Sequence, residues 1–131
     1  MQGNDGYWDN PGRFMFLSKA VARLSPEYDV VHVHDGQTAF VPMLLKSGMK
    51  RRQPQTIVTI HNLAYQGQCG GDRFSITNLP AKLFHREGPE FWGNMNFLKA
   101  GISFADGITT VSPKYAREIL TQEFGEGLDG V

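Results

Sequence analysis

At 131 residues the chain is long enough for one ordinary domain with a sizeable core, and its 40% hydrophobic and 20% charged content is globular rather than disordered. Thirteen basic residues balance 13 acidic ones, which excludes the electrostatic footprint of a nucleic-acid or anionic-membrane binder. No apolar run approaches the ~20 residues that span a bilayer, the start carries no charged-then-apolar signal pattern, and the single Cys69 cannot form an internal disulfide, which agrees with a reducing, cytoplasmic setting.

The first residues, Met1 to Gly6, have loop chemistry leading into a helix. Asn10 followed by Pro11 predicts an N-cap with proline in the first turn. Phe14, Leu17, Val21 and Leu24 then recur at helical spacing, so that one face is apolar, and the helix ends near Ser25-Pro26. Residues 29–34 form a β-branched run that predicts a parallel strand buried on both faces. Asp35 to Thr38 predict a turn, and Phe40, Leu44 and Leu45 a second helix that stops around Ser47-Gly48. Lys50, Arg51 and Arg52 predict a surface connection to a second strand at 56–61, which completes a βαβ unit. Residues 62–93, rich in Gly, Asn, Pro and aromatics, predict a long irregular and functional segment with short helical turns around 80–84. Phe97, Ala100, Gly101 and Phe104 predict a helix over 95–105, and Asp106-Gly107 turn the chain into a third strand at 108–111. Ser112-Pro113 then cap a last helix with Tyr115, Ile119 and Leu120 facing inward. Strand and helix patterns alternate throughout, which predicts an α/β layer architecture. The loop-like start and the Gly-rich end at 124–131 read as the cut ends of a segment from a longer protein.

Ligands bind beyond the carboxyl ends of the strands in an open parallel sheet. Three such ends carry polar side chains: His34-Asp35-Gly36, His61-Asn62-Leu63 and Ser112-Pro113. His32 and His34 are two apart and share one face of their strand. A His-x-His pair raises a metal-dependent hydrolase, with His61, His85 or Asp106 as further ligands, but no spacing supports that set. The plainer reading of His32 is a hydrogen-bonded packing residue. His61 can meet sugar hydroxyls or brace its loop, and Asp35 can bind a hydroxyl or N-cap the helix at Gln37. Ser112 is a helix cap at an N-terminus that would also suit a phosphate. Lys99 and Lys114 read as solvated helix charges. Phe84, Phe91, Trp92 and Phe97 read as packing, although Tyr65 and Trp92 can stack on a sugar ring. There is no dinucleotide fingerprint, P-loop, nucleophile elbow or paired-cysteine zinc site.

Several strings resemble the bacterial glycogen synthase and plant starch synthase family, glycosyltransferase family 5. Val30-Val31-His32-Val33-His34-Asp35 is similar to the family's "DVVHxHDW" strand end. Thr59-Ile60-His61-Asn62-Leu63-Ala64-Tyr65-Gln66-Gly67 resembles its "HNLAYQG" motif nearly letter for letter. Phe97-Leu98-Lys99-Ala100-Gly101, Ala105-Asp106, Thr110-Val111-Ser112-Pro113 and Tyr115-Ala116-Arg117-Glu118-Ile119 follow the family's "FLKAG…AD…TVSPxYAxEI" run, and Asp9-Asn10 with Arg13-Phe14 its "DNxxRF" helix start.

The resemblance implies a Rossmann-like parallel sheet with flanking helices. Residues 1–131 would be part of the N-terminal, acceptor-side domain of a two-domain GT-B enzyme. That enzyme transfers glucose from ADP-glucose, or UDP-glucose, to the non-reducing end of an α-1,4-glucan with retention and with no cofactor or metal. By the resemblance His61 and Asp35 are the catalytic candidates, and Asn62, His34, Tyr65, Gln66 and Ser112 the substrate-binding ones. His61 and Asn62 would line the donor-sugar pocket, with Tyr65 and Gln66 bracing their loop. The location would be cytoplasmic, or plastid in a plant.

Two departures qualify that picture. Gly36-Gln37 stand where the family usually has Trp-His, which weakens an aromatic or second-histidine contact to the acceptor. The family's Lys-x-Gly-Gly-Leu phosphate loop and its acidic "E-x-x-G" nucleotide-sugar loop are absent from these residues, so the segment alone is expected to be inactive. The alternative from another class is a non-catalytic carbohydrate-binding or scaffold module.

Overall fold

A computed structural model of the chain describes residues 7–48 and 53–131. The expectations for Met1 to Gly6 and for the basic connection Lys50, Arg51 and Arg52 lie outside the described residues.

Helix α1 (Asn10–Leu24) leads through a 3-10 turn (Ser25–Glu27) into β1 (Val30–His34), a single helical turn α2 (Asp35–Thr38), α3 (Val41–Gly48) and β2 (Gln55–Ile60). A small subdomain follows, built of β3 (Gln68–Gly70), 3-10 turns (Gly71–Thr77 and Ala81–Leu83), β4 (Glu90–Phe91) and β5 (Asn94–Asn96). Helix α4 (Phe97–Phe104), β6 (Gly107–Thr110) and α5 (Pro113–Glu118) complete the order. The main sheet runs β1-β2-β6, all parallel, with Val33 opposite Val58 and Thr59 opposite Thr109. All three carboxyl ends therefore open on one edge, which is the arrangement that positions a site.

The core lies on one side of this sheet. Val31, Val33, Val58 and Ile60 pack with Phe40, Met43 and Leu45 of the α2–α3 region and with Phe97 and Leu98 of α4. Strand β1 is therefore not buried on both faces: its alternate residues Val30, His32 and His34 are exposed, because the described helices cover the opposite face. Helix α1 also turns differently from its sequence pattern. Met15, Ser18 and Ala22 face in, whereas Leu17 and Leu24 are 44% and 62% exposed, because the small side chains let the helix lie close to its neighbours. Its N-cap is Asp9 rather than Asn10, and no side-chain capping bond is formed. Leu120 lies outside α5 and is 71% exposed rather than inward-facing.

The segment expected to be irregular supplies β3 and β4, which pair with β5 just beyond it in an antiparallel sheet of order β3-β5-β4, whose strands of two or three residues are too short to show a period. The helix expected from residue 95 starts at Phe97, because Met95 and Asn96 belong to β5 and the Asn96 side chain accepts from Lys99 N as the N-cap. Lys99 is not a solvated charge. It is 4% exposed, and its Nζ donates to Arg86 O and, at 2.8 Å, to Gly88 O. Burial pushes its pKa down, against the pull of Glu90. Trp92 is not packing either: it is 87% exposed at the tip of the β4–β5 hairpin.

Asp106 ties the amino ends of β2 and β6 together. Its carboxylate accepts from Thr56 N (2.7 Å), Thr56 Oγ1 (2.9 Å) and Lys46 Nζ (2.7 Å). These bonds hold its pKa below the ordinary carboxylate value, the Lys46 contact contributing most. A carboxylate more acidic in the folded than in the unfolded chain adds stability above its unfolded pKa and loses it as pH falls through the lower folded value. Asp106→Asn is therefore expected to cost about 1 kcal/mol at pH 7, since the group is partly solvated, with the difference from wild type shrinking below about pH 4. Urea unfolding of both proteins at pH 7 and pH 3 checks this.

Candidate functional site

The carboxyl ends of β1 and β2 are adjacent, and the residues immediately past them meet. Asp35 Oδ1 accepts from the His61 backbone N at 2.7 Å, and Asp35 Oδ2 lies 3.0 Å from His61 Nδ1. Both carboxylate oxygens are thus directed at one residue on the neighbouring strand. Asp35 does not cap its helix, so of the two roles open to it in the sequence the capping one is not taken. It holds a left-handed backbone (φ 52°), a conformation that costs an L-residue about 1–2 kcal/mol. A polar residue held in that region marks a place where the fold fixes a side chain at an energetic cost. A carboxylate on Nδ1 sets the imidazole so that the proton faces Asp35, leaving Nε2 as the outward-facing nitrogen. The His61 side chain is 48% exposed and that of Asp35 25%, so the pair is open to a ligand.

Two further histidines extend this pair along the exposed sheet face. His34 lies 5.3 Å from His61 between ring centroids, and His32 4.4 Å from His34. His32 Nε2 is 2.5 Å from Thr59 Oγ1, which is 2.6 Å from Thr109 Oγ1, so a polar row crosses all three strands. His32 is thus hydrogen-bonded as its sequence reading expects, but it stands on the exposed sheet face rather than in the core. Of the further ligands considered for a metal-dependent hydrolase, Asp106 stands at the opposite, amino end of the strands. Among the described residues no three His, Cys, Asp or Glu side chains converge as a metal-ion site.

The loop after β2 is braced from several directions. Asn62 Oδ1 accepts from Ala64 N (3.0 Å) in a local turn, and Leu63 is buried. Gln66 is 4% exposed and acts as a hub. Its Oε1 accepts from Asn96 Nδ2 (2.5 Å) and Gln68 Nε2 (3.0 Å), its Nε2 donates to Glu126 O (3.0 Å), and its backbone O accepts from Leu98 N (3.0 Å). Gln66 is therefore tied into the protein, whereas Tyr65 is 55% exposed with its ring outward. At Gly36, a Cβ would lie 2.9 Å from Gln66 C, so the backbone after Asp35 touches the His61 loop directly. That contact is made where the resembled family has a tryptophan. Ser112 Oγ accepts from Tyr115 N (3.0 Å) as the cap of the six-residue α5, which places it in a structural contact.

Three further residues brace the site: Asn96, which the sequence pattern leaves unmarked, and Tyr115 and Lys99, whose sequence pattern reads only as an inward-facing and a solvated helix residue. The Tyr115 hydroxyl accepts from Leu63 N at 2.9 Å. Asn96 links the α4 cap to Gln66, and Lys99 fixes the carbonyls of the 86–88 turn. Asn96 was legible in principle as an Asn before an apolar helical run, but nothing in the sequence distinguishes Lys99 from a surface lysine.

Comparison with known proteins adds to this geometry. A family profile described as starch synthase catalytic domain matches residues 1–131. The glycogen synthase of Aquifex aeolicus (strain VF5) is 52% identical over 130 residues, covering 96% of this chain and 28% of that protein. The glycogen synthase of Opitutus terrae is 49% identical over 137 residues, covering 98% of this chain and 28% of that protein. The catalytic domain of starch synthase IV from Arabidopsis thaliana, solved bound to ADP and acarbose, superposes with a TM-score of 0.86 at 31% identity, over 95% of this chain and 28% of that one. The chain thus spans little more than a quarter of the length of the relatives it matches.

Proposed function

This chain belongs to the starch synthase catalytic-domain family, and from that premise we propose that it is part of the N-terminal, acceptor-side domain of a two-domain GT-B glucosyltransferase. The whole enzyme moves glucose from ADP-glucose to the non-reducing end of an α-1,4-glucan with retention of configuration, in the cytoplasm or, in a plant, the plastid. UDP-glucose is the alternative donor. No cofactor or metal enters the reading.

The observation that carries it is the Asp35–His61 pair, held on neighbouring strand ends and half open to solvent. In glucosyl transfer the bond from the anomeric carbon to the diphosphate oxygen breaks, a bond to the acceptor hydroxyl forms, and positive charge develops at the anomeric carbon. A fixed imidazole backed by a carboxylate supports such a state because its dipole is oriented before the reaction begins. His61 meets the glucosyl hydroxyls, Asn62 and His34 flank it, and Tyr65 offers an exposed ring to sugar. Gln66 keeps the loop in place from behind. Ser112 lies at the third strand end, where its hydroxyl serves the α5 cap, and in this reading it borders the substrate.

The test is incorporation of labelled glucose into glycogen from ADP-glucose and from UDP-glucose, by this 131-residue chain and by the longer protein that carries it. Transfer by the longer protein alone is expected, because binding of the leaving diphosphate falls to residues outside this chain. Glycogen binding without transfer by the longer protein would instead favour a carbohydrate-binding module.

A further inference from the structure

The β4–β5 hairpin closes through a two-residue loop, Trp92-Gly93, between the paired Phe91 and Asn94. Both loop residues have positive φ, 51° at Trp92 and 83° at Gly93. This turn type prefers Asn, Asp or Gly at its first central position, because only short or absent side chains take the left-handed region readily. A tryptophan there opposes local propensity. It does not compensate by packing, since it is 87% exposed.

The support beneath it is nonetheless firm. Glu90 Oε1 accepts from Gly93 N at 2.7 Å, the Phe91 ring meets the indole edge-to-face at 6.5 Å, and β5 runs directly into the capped helix α4. Phe91 in turn packs beneath the Gly127 turn. The indole is thus displayed on a short, rigid platform.

We propose that Trp92 is a stacking contact for the α-glucan chain, separate from the Asp35–His61 pair. This inference rests on the glucan-transfer reading above and adds a binding point to it. A flat indole with one N–H suits the C–H face and hydroxyl edge of a pyranose. The only charged residue in the 90–96 stretch is Glu90, whose oxygen is engaged with the turn, so the tip favours an uncharged polyhydroxylated ligand over a phosphate-bearing one. A lone ring beside Gly93 and Asn94 is also too small to be a protein-docking patch. A polymer of identical sugars gains from a second contact away from the reacting end, since the two contacts act on one chain.

The experiment uses the full-length protein carrying these residues and its Trp92→Asn variant, in which the turn receives a residue it prefers. Mobility in glycogen-containing native gels and KM for glycogen are compared with kcat on a short malto-oligosaccharide. Glycogen affinity is expected to fall about fivefold, with KM for glycogen rising to match and kcat on the short acceptor unchanged. Equal glycogen retention by variant and wild type overturns the proposal. So does a lowered thermal midpoint with unchanged glycogen binding, which would mean that the ring packs on another part of the longer protein. A wild type that transfers glucose while the variant binds glycogen equally well removes only the Trp92 contact. A wild type that neither transfers glucose nor is retarded by glycogen removes the enzyme reading as well.

Discussion

His61→Ala, made in the full-length protein, is expected to lower kcat for glucosyl transfer by about 10²–10³-fold, the usual loss when one preorganised polar group is removed from a reacting centre. The two oxygens of Asp35 are directed at the His61 N–H and Nδ1, so the carboxylate orients the ring. Removing the imidazole leaves the carboxylate still bound to the backbone N–H, and the loop keeps its anchors at Leu63 and Gln66. The fold should therefore survive, with an unchanged thermal midpoint. Asp35→Asn is expected to be milder, because an amide keeps one acceptor for the two donors. A steady-state assay at saturating ADP-glucose distinguishes these outcomes. A kcat within twofold of wild type for His61→Ala would remove His61 from the chemistry.

Gly101→Ala is expected to have the largest effect on stability. In most helices this exchange helps, by about 1 kcal/mol. Here a Cβ would stand 2.6 Å from Ala39 O and 2.8 Å from Ala39 Cβ, and Ala39 is fully buried. Two backbones meet at this point with no room for a methyl group. Overpacking of this kind costs about 1–3 kcal/mol, more than the helix preference returns. The strain would also reach the site, because Ala39 N donates to Asp35 O (3.1 Å), so a displaced Ala39 draws on the strained turn that aims the carboxylate. A lower unfolding midpoint together with reduced kcat is the expected pair of results. An unchanged midpoint would show that α4 and the α2–α3 junction can move apart at little cost.

The main sheet was legible because its strands are β-branched runs bounded by turn residues, and such runs have few other uses in a chain this size. The position of Asp35 and His61 at neighbouring strand ends followed from that order alone. What the sequence did not carry were choices made by three-dimensional neighbours. Leu17 and Leu24 share a helical period with Phe14 and Val21, yet the described helices cover only one sheet face, and the smaller Ser18 and Ala22 won the inner positions. Lys99 has a surface residue's composition, and only the carbonyls of residues 86 and 88, brought in by a distant turn, make it an interior one. Strands of two or three residues such as β3 and β4 have no readable period. The left-handed backbone at Asp35 and Trp92 is likewise invisible to propensity, because both residues occupy positions where a smaller or more flexible one would be the default.

The hub at Gln66 has a consequence for how the protein is assembled. One of its partners is a carbonyl at residue 126, sixty positions later in the sequence. During synthesis from the amino end, the strand that leads into His61 is complete long before that partner exists. No arrangement of the first 120 residues supplies this acceptor, so the loop after β2 receives this tie only when nearly all of this segment has left the ribosome.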